Sequence, residues 1–293
     1  MDMTAEITID KNAGFCFGVV KAIGKAEEEL ERQGRLYCLG DLVHNNAEVE
    51  RLRSKGLQVV DRKMFEELHD TEVLIRAHGE PPMTYDVARQ HNVRLIDATC
   101  PIVLSLQQRV RKGFDEMRQI GGQVVIYGLP GHAEVIGLNG QADNTAIIVS
   151  NIDDLVAIDV TKPVRLYSQT TKNREDYKHL AEELKRLMKN DDFEVYDTVC
   201  NSVANRAKEL EQFAHEVDML LFVAGEHSSN GRYLYDYCRR VQPNTYIIAS
   251  ENELKGEWLN GRGKIGITGA TSTPRWLMEQ VMECCEKLLA QKK

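Results

Sequence analysis

The chain has 293 residues, 42% of them hydrophobic and 28% charged, with a formal net charge of −8 at pH 7. A chain of that length buries a large core, as one big domain or two to three small ones, and its acidic balance argues against nucleic acid as the main partner, because phosphate backbones call for a basic face. It contains no apolar run of membrane-spanning length, and residues 1–6 lack the basic start and apolar stretch of a signal peptide, so a cytoplasmic protein with no membrane attachment is expected.

Strand and helix patterns alternate from the first residues. A strand is predicted over residues 6–10, then a helix from Cys16 to about residue 33, stopped by Gly34. A short strand at 35–39 leads into a polar loop with His44, and a helix follows, ending at Gly56. Strand 57–60, helix 63–69 and strand 73–77 deliver His78-Gly79, and strand 93–97 delivers Cys100. A helix opens at Pro101, a residue suited to the first helical turn. Strand 123–127 ends in the loop Gly128 to Glu134, and strand 164–167 ends in Ser168-Gln169-Thr170-Thr171. A strand pattern around Val195 delivers Cys200, strand 219–224 leads to Ser228-Ser229-Asn230, and strand 264–268 leads to Ser272 and a terminal helix.

The order repeats with a measurable spacing. Three stretches share an apolar run, an Asp and a Cys: 7–16, 96–100 and 195–200. His44 lies 28 residues after Cys16, His132 lies 32 after Cys100, and Ser228 lies 28 after Cys200. A second polar loop follows at offsets of 62 (His78), 70 (Thr170) and 72 (Ser272). Such alternation implies an α/β fold of parallel sheets with right-handed crossovers, and functional loops at the carboxyl ends of the strands. Three pseudo-equivalent α/β domains are expected: residues 14–97, 98–197 and 198–293, the last completed by a strand within 1–13.

Seven cysteines, an odd number, in a reducing compartment point to metal or catalytic roles rather than disulfides. Cys16, Cys100 and Cys200, at the mouths of three helices, read as three ligands of one metal centre. Three thiolates suit zinc with a histidine as fourth ligand, or an iron–sulfur cluster with one iron left open as a Lewis acid. The gaps of 84 and 100 residues do not suit a local zinc knuckle and favour the cluster. Cys38, Cys238, Cys284 and Cys285 adjoin no glycine-rich loop and are expected as buried small side chains.

The histidines divide in the same way. His69, His91, His179 and His215 lie in or beside polar helices and are expected at the surface. His44, His78 and His132 join Gln169, Thr170, Ser228, Ser229, Asn230 and Ser272 in a set of donors suited to a phosphate group. Glu134 is either a helix N-terminal carboxylate or a proton donor with Thr170 as relay. Asp97 and Asp197 are expected to cap turns or helices.

The segments Ala13 to Val19, Leu42 to Asn45, Ala77 to Gly79, Asp97 to Pro101, Gly131 to Val135, Ser168 to Thr171, Asp197 to Cys200 and Ser228 to Asn230 occur in an order that resembles the LytB/IspH family, the 4-hydroxy-3-methylbut-2-enyl diphosphate reductases of the non-mevalonate isoprenoid pathway. The resemblance implies three domains in a trefoil around a [4Fe–4S] cluster held by Cys16, Cys100 and Cys200. It implies diphosphate contacts from His44, His78, His132, Ser228, Ser229, Asn230 and Ser272. Glu134 with Thr170 would deliver the proton, with Gln169 in the same network. Residues 266–272 exchange the small residues of the family's usual order, which leaves Thr271 and Ser272 both open as the last contact.

The expected reaction is reductive dehydroxylation of the allylic diphosphate to isopentenyl and dimethylallyl diphosphate. No glycine-rich dinucleotide loop follows a strand, so electrons are expected from a partner protein such as ferredoxin or flavodoxin. Two other classes fit a three-cysteine cluster. One is a lyase or condensing enzyme of quinolinate-synthase type, and the other is a non-catalytic iron–sulfur sensor, which would have no need of Glu134.

Overall fold

A computed structural model describes residues 5–225 and 228–291. In chain order the elements are β1 (Glu6–Ile9), α1 (Phe17–Gln33), β2 (Leu36–Leu39), α2 (Asn46–Ser54), β3 (Leu57–Val60), α3 (Arg62–Glu66), β4 (Glu72–Ile75), α4 (Pro82–Gln90) and β5 (Arg94–Asp97). They continue with α5 (Pro101–Ile120), β6 (Gln123–Tyr127), α6 (Ala133–Gln141), β7 (Ile147–Val149), β8 (Val164–Ser168), α7 (Arg174–Leu187) and β9 (Phe193–Val195). The chain finishes with α8 (Asn201–His215), β10 (Met219–Val223), α9 (Ser229–Val241), β11 (Thr245–Ile248), β12 (Lys264–Gly269) and α10 (Arg275–Ala290).

The strands form three four-stranded sheets, in the orders β3-β2-β4-β5, β7-β6-β8-β9 and β11-β10-β12-β1. Every strand pair is parallel. This is the α/β class that the alternating pattern predicts. The three orders are one topology repeated, with the N-terminal strand β1 in the fourth place of the C-terminal sheet, where Glu6 to Ile9 pair with Lys264 to Ile267.

Two compact units are distinguished, 1–20 with 43–55 and 201–293, and 21–42 with 56–200. In the first unit β10 is buried along its whole length. A strand that alternates sides can be apolar throughout only if both faces are covered. Met219, Leu221 and Val223 pack with Leu277, Met278, Val281 and Cys285 of α10. Leu220 and Phe222 on the other face meet Leu210 of α8 and Leu234 and Cys238 of α9. Each such fully buried side chain contributes about 1.5–3 kcal/mol.

In the second unit α5 lays Leu106, Val110 and Met117 on Val124, Ile126 and Tyr167. It ends at Gly121, whose φ of 72° closes the helix in the left-handed conformation. Leu39, Val60, Phe65, Val73 and Ile75 make a separate core around β2, β3 and β4. Among the described residues, no helix is long and apolar enough to cross a membrane.

Candidate active site

The three sheets present their functional loops at equivalent positions. The edge strands β5, β9 and β1 each lead into a cysteine. The backbone N–H of Cys100 donates to Ala77 O (3.0 Å), that of Cys200 to Thr170 O (2.8 Å) and that of Cys16 to Thr271 O (3.1 Å). Each acceptor lies two residues beyond the end of the neighbouring strand, β4, β8 or β12. All three cysteines are half-buried, and each immediately precedes the first turn of a helix, α5, α8 or α1. A helix N-terminus favours negative charge and so suits a thiolate.

The other thiols differ in surroundings. Burial pushes Cys38, Cys238 and Cys285 up to about 12, which disfavours the thiolate a metal needs. Cys284, expected to be buried, is half-buried instead. Neighbours on a helix point about 100° apart, and Cys285 already takes the core side of α10.

An aspartate stands in each cysteine loop; Asp97 caps its turn as expected, whereas Asp197, expected in the same role, is engaged in an ion pair. Asp97 accepts the Thr99 N–H (2.8 Å) and the Tyr85 hydroxyl (2.8 Å). Asp197 lies beside Arg174 (3.3 Å), which also donates to Val199 O (2.9 Å). Asp10 accepts the Asn12 N–H (3.0 Å), the Thr268 hydroxyl (3.0 Å) and the guanidinium of Arg206 (2.5 Å), in an ion pair whose members are both 5% exposed.

In the second unit His132 caps α6. Its Nδ1 accepts the Glu134 N–H at 3.2 Å, so in the neutral ring Nε2 carries the proton. The His78 and His132 rings meet edge to face at 5.3 Å. Glu134, 1% exposed, accepts the Thr170 N–H (2.7 Å) and the Thr170 hydroxyl (2.8 Å). Burial pushes its carboxyl up to about 7, against the opposing pull of those two donors, which favour the ionised form. Gln169 is committed at both ends of its amide, its Oε1 accepting from Leu129 N (3.0 Å) and its Nε2 donating to Thr171 Oγ1 (2.8 Å).

In the first unit Asn45, beside His44, caps α2 by accepting the Glu48 N–H at 3.1 Å. The backbone of His44 packs on Gly225, where a Cβ would lie 2.5 Å from His44 O. Only glycine admits that approach. Ser228 caps α9, taking the Gly231 N–H at 3.0 Å, and its hydroxyl lies 3.2 Å from that of Ser272. Thr271 presents its carbonyl to Cys16. The side chains of Ser229 and Asn230 lie outside the described residues, as does His227. His69, His179 and His215 are exposed as expected, and His91 is half-buried and stacked on His69.

The structure refines the repeat. His44, His132 and Ser228 each stand five residues beyond the end of β2, β6 or β10. The Cys N–H acceptors align Ala77, Thr170 and Thr271, so His78 and Ser272 correspond to Thr171 rather than to Thr170. Sequence offsets counted from the cysteines missed this by one residue. Counting from strand ends would have found it.

A sequence model of the LytB protein family matches residues 7–286. The 4-hydroxy-3-methylbut-2-enyl diphosphate reductase of Bacteroides fragilis is 48% identical over 279 residues, covering 95% of this chain and 96% of that protein. The enzyme of the same name from Parabacteroides distasonis is 49% identical over 277 residues, covering 94% and 96%. A solved structure of (E)-4-hydroxy-3-methyl-but-2-enyl diphosphate reductase, described as the terminal enzyme of the non-mevalonate pathway, superposes with a TM-score of 0.72 at 35% identity, covering 97% of this chain and all of that one. A Plasmodium falciparum reductase structure has a TM-score of 0.84 at 24% identity, covering 96% and 87%, and shows the shared fold.

Proposed function

The chain belongs to the LytB family, and from that premise we propose that it catalyses reductive dehydroxylation of (E)-4-hydroxy-3-methylbut-2-enyl diphosphate to isopentenyl and dimethylallyl diphosphate, the last step of the non-mevalonate isoprenoid pathway. In the balance of that reaction the C4–O bond breaks, two electrons and two protons are consumed, and one water leaves.

Cys16, Cys100 and Cys200 would hold a [4Fe–4S] cluster. Their fit rests on the donor set: three soft thiols at one repeated backbone position, half-buried and next to helix N-termini, unlike the buried Cys38, Cys238 and Cys285. When bound, such a cluster supplies single electrons and an iron with an open coordination position.

The protein's own residues do the rest. Three proposed domains (14–97, 98–197, and 198–293 with 1–13) each contribute one cysteine and two polar loops. His44, His78, His132, Ser228, Ser229, Asn230 and Ser272 bind the diphosphate. A single helix N-terminus contributes only about 0.3–1 kcal/mol towards an anion, which is why several loops share the task. Glu134 carries the reaction's acid function, giving its proton to the departing C4 oxygen while Thr170 holds the carboxyl in place. Gln169 braces the loops on either side. Electrons come from a protein donor such as ferredoxin or flavodoxin, and the enzyme works in the cytoplasm.

The observation that carries this reading is Glu134, a fully buried carboxyl shifted to about 7 and bonded only to Thr170 in the hydrogen bonds described. A carboxyl with that shift can be an acid at neutral pH. The test is His44→Asn assayed with reduced viologen on the allylic diphosphate. KM should rise at least about tenfold, the scale of one lost charge-assisted hydrogen bond, while iron and sulfide content stay at the wild-type level. No viologen-linked turnover by the wild-type protein would refute the assignment.

A further inference from the structure

Glu48 is a carboxylate in an unusual place. It is 1% exposed, in the first turn of α2, four residues beyond His44. Its backbone N–H is held by Asn45, the neighbour of His44. Its side chain accepts from Arg51 at both oxygens (2.6 and 2.9 Å) and from the indole Nε1 of Trp276 at 2.9 Å. Trp276 is in the first turn of α10, four residues beyond Ser272. One buried group thus joins the helix that follows His44 to the helix that follows Ser272.

A leucine would fill this position without desolvating a charge, a cost that recurs at any buried ion. Apolar packing also slides more readily than a directed bond. Ala47 and Trp276 already pack together against the core around β10 and β12, so the bond to Glu48 is not needed for burial. Its added effect is orientation. Other links among these loops are the close approach of His44 to Gly225, the Thr273 hydroxyl on Val223 O (2.7 Å) and the Ser228 and Ser272 hydroxyls at 3.2 Å. Each of these ties a loop to the β10 end or to the segment just beyond it. The Glu48–Trp276 bond alone joins the His44 and Ser272 segments directly among the hydrogen bonds described.

We propose that Glu48 and Trp276 are positioning residues for diphosphate binding, setting His44 in register with Ser228 and Ser272. The inference rests on the reading of those three residues as diphosphate donors. It concerns affinity for the anion rather than the chemical step.

The experiment uses the cluster-loaded enzyme and measures the dissociation constant of inorganic diphosphate by calorimetry, together with KM, kcat and the unfolding temperature. Trp276→Phe keeps one aromatic ring against the core but deletes the N–H together with the second ring, so the unfolding temperature is read beside the affinity and Glu48→Gln isolates the hydrogen bond. Trp276→Phe should weaken diphosphate binding and raise KM about tenfold, the scale of one hydrogen bond to a charged group, and leave kcat within about twofold. Glu48→Leu should do the same. Glu48→Gln, whose amide oxygen still accepts the indole N–H, should recover most of the affinity. Affinity unchanged in Trp276→Phe, whether or not thermal stability falls, overturns the proposal, as does Glu48→Gln behaving like Glu48→Leu. His44→Asn is run alongside. If it too leaves diphosphate binding unchanged, the diphosphate reading fails and the clamp with it. If it weakens binding while Trp276→Phe does not, only the clamp is lost.

Discussion

Glu134 makes the most quantitative demand on the proposed chemistry. Its carboxyl is pushed up from 4.5 to about 7 by burial. At pH 7 about half of these groups are protonated, against about one in 300 for an ordinary glutamate, a ~150-fold larger supply of acid. If Glu134 gives the proton to the leaving oxygen, kcat should be flat below about pH 6 and fall about tenfold per unit well above pH 7. Thr170→Val removes an O–H that favours the carboxylate, so the falling limb should move to higher pH by about one unit. Glu134→Gln preserves size but has no proton to give, and should lose about 10²–10⁴-fold in kcat. The linkage has a definite sign. A raised folded pKa means that the native state holds the proton more tightly than the unfolded chain. Stability therefore falls by about 3 kcal/mol as pH rises from about 4.5 to about 7, and Glu134→Gln should abolish that slope. The assays are anaerobic steady-state turnover with reduced viologen between pH 5.5 and 9, and urea unfolding at pH 5 and 8. A kcat profile that keeps its limb in Glu134→Gln would refute the role, because the titrating group would then lie elsewhere.

Cys100→Ser should strip most of the iron and sulfide from anaerobically purified protein, whereas Cys238→Ala, in the core between α8 and α9, should retain both and lose only stability, read by metal analysis and absorbance. Arg206→Met should cost about 3–5 kcal/mol, because it strands the buried carboxylate of Asp10, measured as a lowered urea midpoint. Gly79→Ala should cost about 1–3 kcal/mol, because Gly79 sits at φ 71°. Its new Cβ would also lie 2.6 Å from Gln107 Nε2, the far end of a side chain that can shift, so it is the backbone strain beside His78 that should raise KM, given the proposed role of His78 in diphosphate binding.

Long periodic segments and loop chemistry were legible in the sequence. The helix after each cysteine, the central strands of the sheets and the polar loops beyond them all follow from apolar spacing and turn residues. The pattern omits the edge strands β7 and β11, although it includes strands just as short elsewhere in the chain. The pairing of β1 spans more than 250 positions, so it follows from no local periodicity, only from the expected domain arrangement, which assigns a strand within 1–13 to the last domain. Buried polar partnerships were the hardest to read. Nothing in the neighbourhood of Glu48 announces Trp276, and nothing near Asp10 announces Arg206, because such pairs exist only once the helices are packed. The loop of Gln169 suggests a substrate donor, and in the structure both ends of its amide are engaged within the protein.

The three loop sets share a backbone and differ in side chains, which bears on how one fold came to hold several tasks. The N–H of each cysteine finds a carbonyl two residues past a neighbouring strand, a contact that depends on no side chain and so survives substitution around it. With the backbone of each cysteine set in that way, the surrounding residues are released to differ. The residue two beyond the fifth loop position is Asn46 after β2 and Glu134 after β6. Of these two, only Glu134 faces the main-chain N–H and hydroxyl of a threonine. The asymmetry has a chemical reason. The other carboxyls buried beside these loops, Glu48 and Glu80, are paired with Arg51 and Arg62. Of the three, only Glu134 has no cationic partner among the described ion pairs, and burial then pushes it up to about 7, which is what the proposed acid role needs.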